Sequence, residues 1–122
     1  VDANSLINHI FNNQKRGVQM KQVINKKLYN TETAEKLHSY TFSNTGDFHY
    51  ISESLYKTKY GNYFLAGTGG AASKYGKACG NNSMSGGTAI TPMTVTEAIQ
   101  WLEDHDGSEV IENHFASEIQ EA

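Results

Sequence analysis

The 122-residue sequence contains no lysine or arginine after Lys77. The ten bases up to that point stand against five acids, Asp2, Glu32, Glu35, Asp47 and Glu53, so residues 78–122 hold eight acids and no compensating base. A modest net charge of −3 conceals this division. An anionic C-terminal surface repels nucleic acid and suits a basic partner, which excludes simple phosphate-backbone binding by that half. Cysteine is nearly missing too: Cys79 stands alone, so no intramolecular disulfide can close, and the chain fits a reducing compartment. No run of about 18 apolar residues is present to span a bilayer, nor a leader with a basic start and a small-residue cleavage site. The expectation is a cytoplasmic protein without membrane association.

What is present suits one α+β domain over 20–122 preceded by a helical extension over 1–19. Leu6, Ile7, Ile10 and Phe11 lie on one side of a helix that Asn4 or Ser5 caps. Met20 then opens a fresh segment. The apolar stripe of the extension leaves a homodimer open. Val23 and Ile24, a turn at Asn25 and Lys26, and Leu28 and Tyr29 read as a first hairpin. Leu37 to Phe42, Phe48 to Thr58 and Tyr63 to Ala66 are rich in aromatic and β-branched residues and are separated by polar turns. They predict a small antiparallel meander of three or more strands.

Eight of the eleven glycines fall between Gly61 and Gly87, which predicts a long irregular loop with several positive φ angles. Ala89, Ile90 and the only proline, Pro92, read as an edge segment. Thr94 and Glu97 then match a capping box for a helix burying Ala98, Ile99, Trp101 and Leu102. Gly107 is placed to end that helix. Ser108 is placed to begin a second one carrying Val110, Ile111, Phe115 and Ile119.

The chain carries no catalytic signature. Gly67 to Ala72 match the dinucleotide fingerprint in outline, but no helix follows to receive a pyrophosphate. His38 and His49 could oppose each other on a hairpin and recruit Cys79, although none of these residues shows the close spacing of a zinc site. No metal and no cofactor are expected. Glu53, an acid inside an aromatic strand, is read as lying on a wet face. Seven tyrosines before Gly76 interleave with lysines, the one feature favouring direct nucleic-acid contact; the acidic end weighs against it. The residues expected to carry function are the carboxylates of the C-terminal helices, Glu97, Glu103, Asp104, Asp106, Glu109, Glu112 and Glu118, as a partner-binding face.

The block from Met20 to His105 resembles a family of small proteins carried by phages and mobile elements of Gram-positive bacteria. The resemblance rests first on Tyr29, Thr31 to Ala34, Glu53, Leu55, Tyr56, Thr58, Lys59, Gly61 and Tyr63 to Leu65. It continues through Gly69, Gly70, Ser73, Tyr75, Gly80, Asn82, Gly86, Gly87, Ile90, Pro92, Glu97, Ala98 and Trp101. Some small phage proteins of this general type are anti-CRISPR proteins. The resemblance therefore implies a non-enzymatic inhibitor that binds the nuclease of a type II CRISPR system. The alternatives are a phage regulatory module that binds protein or nucleic acid and, less favoured, a small metal-dependent hydrolase.

Overall fold

A computed structural model describes residues 20–122 of the protein. The helix expected within residues 4–13 lies outside the described residues. The first element is the hairpin β1 (Lys21–Ile24) and β2 (Lys27–Asn30). Its two turn residues, Asn25 and Lys26, both have positive φ, 52° and 67°. That pattern belongs to the tight turn whose twist matches the flanking strands.

A four-stranded antiparallel sheet follows in the spatial order β3 (Glu35–Phe42), β4 (Ile51–Lys57), β5 (Tyr63–Gly69) and β8 (Gly87–Met93). Between β5 and β8 the chain makes a small two-stranded excursion, β6 (Lys77–Ala78) and β7 (Met84–Ser85). The expected meander thus gains a fourth strand. Pro92 is accommodated because β8 pairs only with β5, leaving its other edge free of the ladder. Helices α1 (Val95–Asp104) and α2 (Ser108–His114) and a 3-10 turn (Ala116–Glu118) complete the chain.

Each face of the sheet is covered in part, by different means. On one face, Leu55, Tyr63 and Leu65 pack against Ala98, Trp101, Leu102, Ile111 and Phe115 from the helices. On the other, Phe64, Ala66 and Ile90 pack against Tyr29 of the hairpin, with Met20, Ile24, Ala34 and Tyr56 around them. Strand alternation produces this division, since neighbouring residues of β5 point to opposite faces. The result is three layers: helices, sheet, hairpin. A shift of pairing between Lys36 and His38 adds one residue to β3, which lets both Leu37 and His38 serve the helix side.

Helix α1 begins as its sequence predicts. Thr94 accepts a hydrogen bond from the Glu97 amide at 3.1 Å, and Glu97 accepts one from the Thr94 amide at 2.9 Å. The C-terminal end differs from expectation. Asp106, not Gly107, has the left-handed backbone, with φ 61°. Gly107 is required for a different reason: a Cβ there would lie 2.5 Å from Leu102 Cδ2. Phe115 is buried as expected, whereas Ile119 is exposed.

The glycine-rich stretch also differs. Among its glycines only Gly61 and Gly80 have positive φ. Gly67 and Gly69 lie inside β5 and Gly87 begins β8. These positions need the missing side chain, because segment 70–76 folds back onto the sheet and passes too close for a Cβ. The regular strand was hidden by residues selected for close approach rather than for loop conformation.

Candidate functional site

Glu53 sits near the middle of β4 and points to the helix side with Leu55, where it is only 2% exposed. The wet-face reading of this residue is therefore corrected. Three donors converge on it. Trp101 Nε1 donates to Oε1 at 3.0 Å, the Tyr75 hydroxyl to Oε2 at 2.5 Å, and Lys74 Nζ to Oε2 at 2.6 Å. Burial pushes the carboxyl up, but the bonds from Lys74, Tyr75 and Trp101 and the Lys74 charge outweigh it, so Glu53 is held below its ordinary value. The Tyr75 hydroxyl is pushed well up, by burial first and then by the carboxylate it serves.

The site depends on an empty position. Gly67 of β5 is the cross-strand partner of Glu53, and a Cβ at Gly67 would lie on top of the Tyr75 hydroxyl. Segment 70–76 is further tied down by Gly70 N to the Tyr50 carbonyl at 2.9 Å and Ala72 N to the Phe48 carbonyl at 2.8 Å. Glu53 thus joins the sheet, this segment and α1 at one buried point. Buried and held by three donors, the carboxylate has the chemistry of a structural anchor; a general base needs a lone pair that a substrate can reach.

Around the same helix, His38 Nε2 lies 2.8 Å from the His105 carbonyl and His105 Nδ1 lies 2.7 Å from the Trp101 carbonyl. A carbonyl only accepts, so each ring nitrogen is the donor. His38, His49 and Cys79, weighed from sequence as a zinc trio and not favoured, do not meet. His38 is engaged at α1, His49 lies beside Asp47 in the β3–β4 connection, and Cys79 is exposed near the β6–β7 turn. Among the described residues no three His, Cys, Asp or Glu side chains gather as a metal site.

The carboxylates singled out from sequence are all at the surface. Glu97, Glu103 and Asp104 are exposed on α1, Asp106 in the turn after it, Glu109 and Glu112 on α2, and Glu118 beyond; Glu121, the eighth acid after Lys77, is exposed as well. Among the described residues none of them is bridged to a lysine, whereas the buried Glu53 is bridged to Lys74. Asp104 accepts from Gln100 at 3.1 Å, and Glu97 is engaged in its helix cap. The hairpin layer, on the opposite side of the sheet, carries Lys21, Lys26 and Lys27. Lys57 and Lys74, by contrast, lie on the helix side, over Tyr63 and against Glu53.

The tyrosines do not form one stacking platform. Tyr40 and Tyr63 pack with the helix-side core, Tyr29 and Tyr56 pack with Phe64 on the hairpin side, and Tyr75 is committed to Glu53. Two depressions went unread in the sequence. One, of about 220 Å³, lies on the part of the sheet that the hairpin leaves open and is lined by Ser39, Thr41, Ser52, Ser54 and Thr68 with Lys36. The other, of about 540 Å³, runs between β2 and the β4–β5 turn. Alternation of small hydroxyl residues along β3 and β4 was the available signal for the first. The second joins residues some 30 positions apart, and no local pattern marks it.

No protein-family model, curated protein or solved structure matches this chain. Among the described residues no helix is long and apolar enough to cross a membrane.

Proposed function

We propose that the protein is a non-enzymatic inhibitor that acts in the cytoplasm of a bacterial host. It presents the acidic face of its C-terminal helices to the cationic surface of a type II RNA-guided nuclease. The observation that supports this reading is the exposure of eight carboxylates on α1, α2 and their flanking segments with no lysine bridged to them among the described residues. Uncompensated like charges repel one another, and a basic surface relieves that repulsion as it docks. Such a nuclease holds its guide and target in a strongly positive channel and reads its short duplex motif with arginines, so an anionic protein has two surfaces to compete for.

The face is built on rigid elements. The capping box fixes the start of α1, and Trp101 and Leu102 pin the helix to the sheet. Preorganisation of this kind lowers the ordering cost of association. Glu103, Asp104 and Glu109 are the central contacts.

The test is a binding titration of the effector with the native protein and with the triple variant Glu103→Lys, Asp104→Lys, Glu109→Lys, at low and high salt. Reversal of three charges should weaken binding by about tenfold or more at low salt, and salt alone should weaken the native complex. An unchanged dissociation constant for the variant rules out the acidic face. Cleavage assays with the effector given target before or after the inhibitor then identify which surface is blocked.

A further inference from the structure

We infer that the groove between β2 and the β4–β5 turn is a docking site for an extended peptide of another protein, one carrying carboxylates beside an apolar side chain, which adds to β2 as a third strand. β2 pairs with no strand but β1, and on its other edge the Asn30 carbonyl is taken by the Thr33 and Ala34 amides, which leaves the edge open at Leu28. The two-residue turn makes Ile24 and Lys27 a hydrogen-bonded pair, and the alternation of an antiparallel ladder then makes Val23 and Leu28 a non-hydrogen-bonded one. The Leu28 N–H and C=O consequently face outward from the free edge. All four residues of β2 border the groove, and its far wall is formed by Thr58, Lys59, Tyr60 and Asn62.

That far wall is preformed. Thr58 N donates to the Asn62 carbonyl at 2.8 Å, Gly61 N to the Thr58 carbonyl at 3.0 Å, and Asn62 N to Thr58 Oγ1 at 3.1 Å. Gly61 supplies the positive φ, 85°, that closes the turn. The volume of about 540 Å³ suits several residues of extended chain, which advance about 3.4 Å each.

The chemistry of the occupant follows from the walls. Leu28 is half exposed and Tyr60 is 82% exposed, so both offer apolar surface that a bound side chain would cover. Lys27 and Lys59 stand on opposite walls, and neither ammonium meets a carboxylate among the described residues; Lys59 lies 5.4 Å from the centre of the Tyr60 ring. Two cations with no carboxylate partner, flanking an apolar slot, call for an occupant with acids on either side of an apolar residue. A single-stranded DNA could stack a base on Tyr60 and reach both lysines, but its deoxyribose–phosphate backbone only accepts and cannot donate to the Leu28 carbonyl. A peptide can. The groove lies on the hairpin side of the sheet, away from the acidic helices, so this site is independent of the inhibitor proposal.

The full-length protein would be screened against an array of decapeptides in which one apolar position is flanked by acidic, basic or neutral polar positions. The best binder would then be titrated into ¹⁵N-labelled protein. The expected result is enrichment of acid–apolar–acid sequences, perturbation of the Leu28 and Tyr60 amides, and a loss of at least tenfold in affinity for the folded Lys27→Glu, Lys59→Glu variant. Methylation of the peptide's backbone nitrogens should also abolish binding. Failure to enrich any peptide, enrichment of basic ones, retention of affinity by the double variant or by the methylated peptide, or larger shifts at the same amides with a ten-nucleotide single-stranded DNA would each overturn the inference.

Discussion

Glu53 and Gly67 face each other across β4 and β5, and the side chain that Gly67 lacks is the space in which Tyr75 reaches the Glu53 carboxylate. One residue holds a buried charge and its neighbour makes room for the donor that stabilises it.

Substitution Glu53→Gln should destabilise the protein by about 2–4 kcal/mol. The amide cannot accept from Tyr75, Trp101 and Lys74 together, and its own NH₂ would meet a donor. The Lys74 side chain is 59% exposed and can rehydrate, so the cost falls mainly on the tyrosine and the indole. Urea unfolding followed by the fluorescence of Trp101, the only tryptophan, measures it.

Gly67→Ala should also destabilise, by about 2 kcal/mol or more, because its Cβ overlaps the Tyr75 ring. In a double-mutant cycle with Tyr75→Ala the two losses should fall short of additivity by about 1 kcal/mol or more, since removing the ring removes the clash. Additive losses would mean that the two positions are not coupled.

The network should make stability depend on pH at both ends. Glu53 is depressed in the folded state, so its contribution is present above its ordinary value of 4.5 and is lost as pH falls through the folded value. Tyr75 is raised, so its contribution is present below its ordinary value of 10.0 and is lost as pH climbs beyond it. The stability gap between native protein and Glu53→Gln should narrow in acid. That between native protein and Tyr75→Phe should narrow in alkali. Urea midpoints across pH give both curves, and parallel curves would contradict the assignment.

Thr94→Ala should cost about 1 kcal/mol by leaving the Glu97 amide without its cap. If α1 carries the binding face as a rigid unit, Thr94→Ser should restore both stability and effector affinity.

Where chemistry was local, the sequence could be read. The hairpin turn at Asn25 and Lys26, the capping box at Thr94 and Glu97, and the strands around Leu55 and Phe64 each announce themselves within a few residues. Glu53 could not be placed, because its partners Tyr75 and Trp101 lie 22 and 48 residues away and only tertiary packing brings them together. The glycines misled for a related reason. Gly67 and Gly69 look like loop residues until Tyr75 and Ser73 are seen pressing on them from segment 70–76. The outward groups of β2 and the wall opposite were equally invisible, since the pattern of strand pairing decides which backbone edge stays open.

The three-layer arrangement sets lysines of the hairpin and carboxylates of the helices on opposite sides of a thin sheet. Charges so placed contribute a dipole component normal to the sheet, on which the field of a cationic macromolecule exerts a torque before contact. The protein should therefore arrive helices first. That pre-alignment would speed productive encounters at low ionic strength and fade once the Debye length shrinks below the thickness of the molecule.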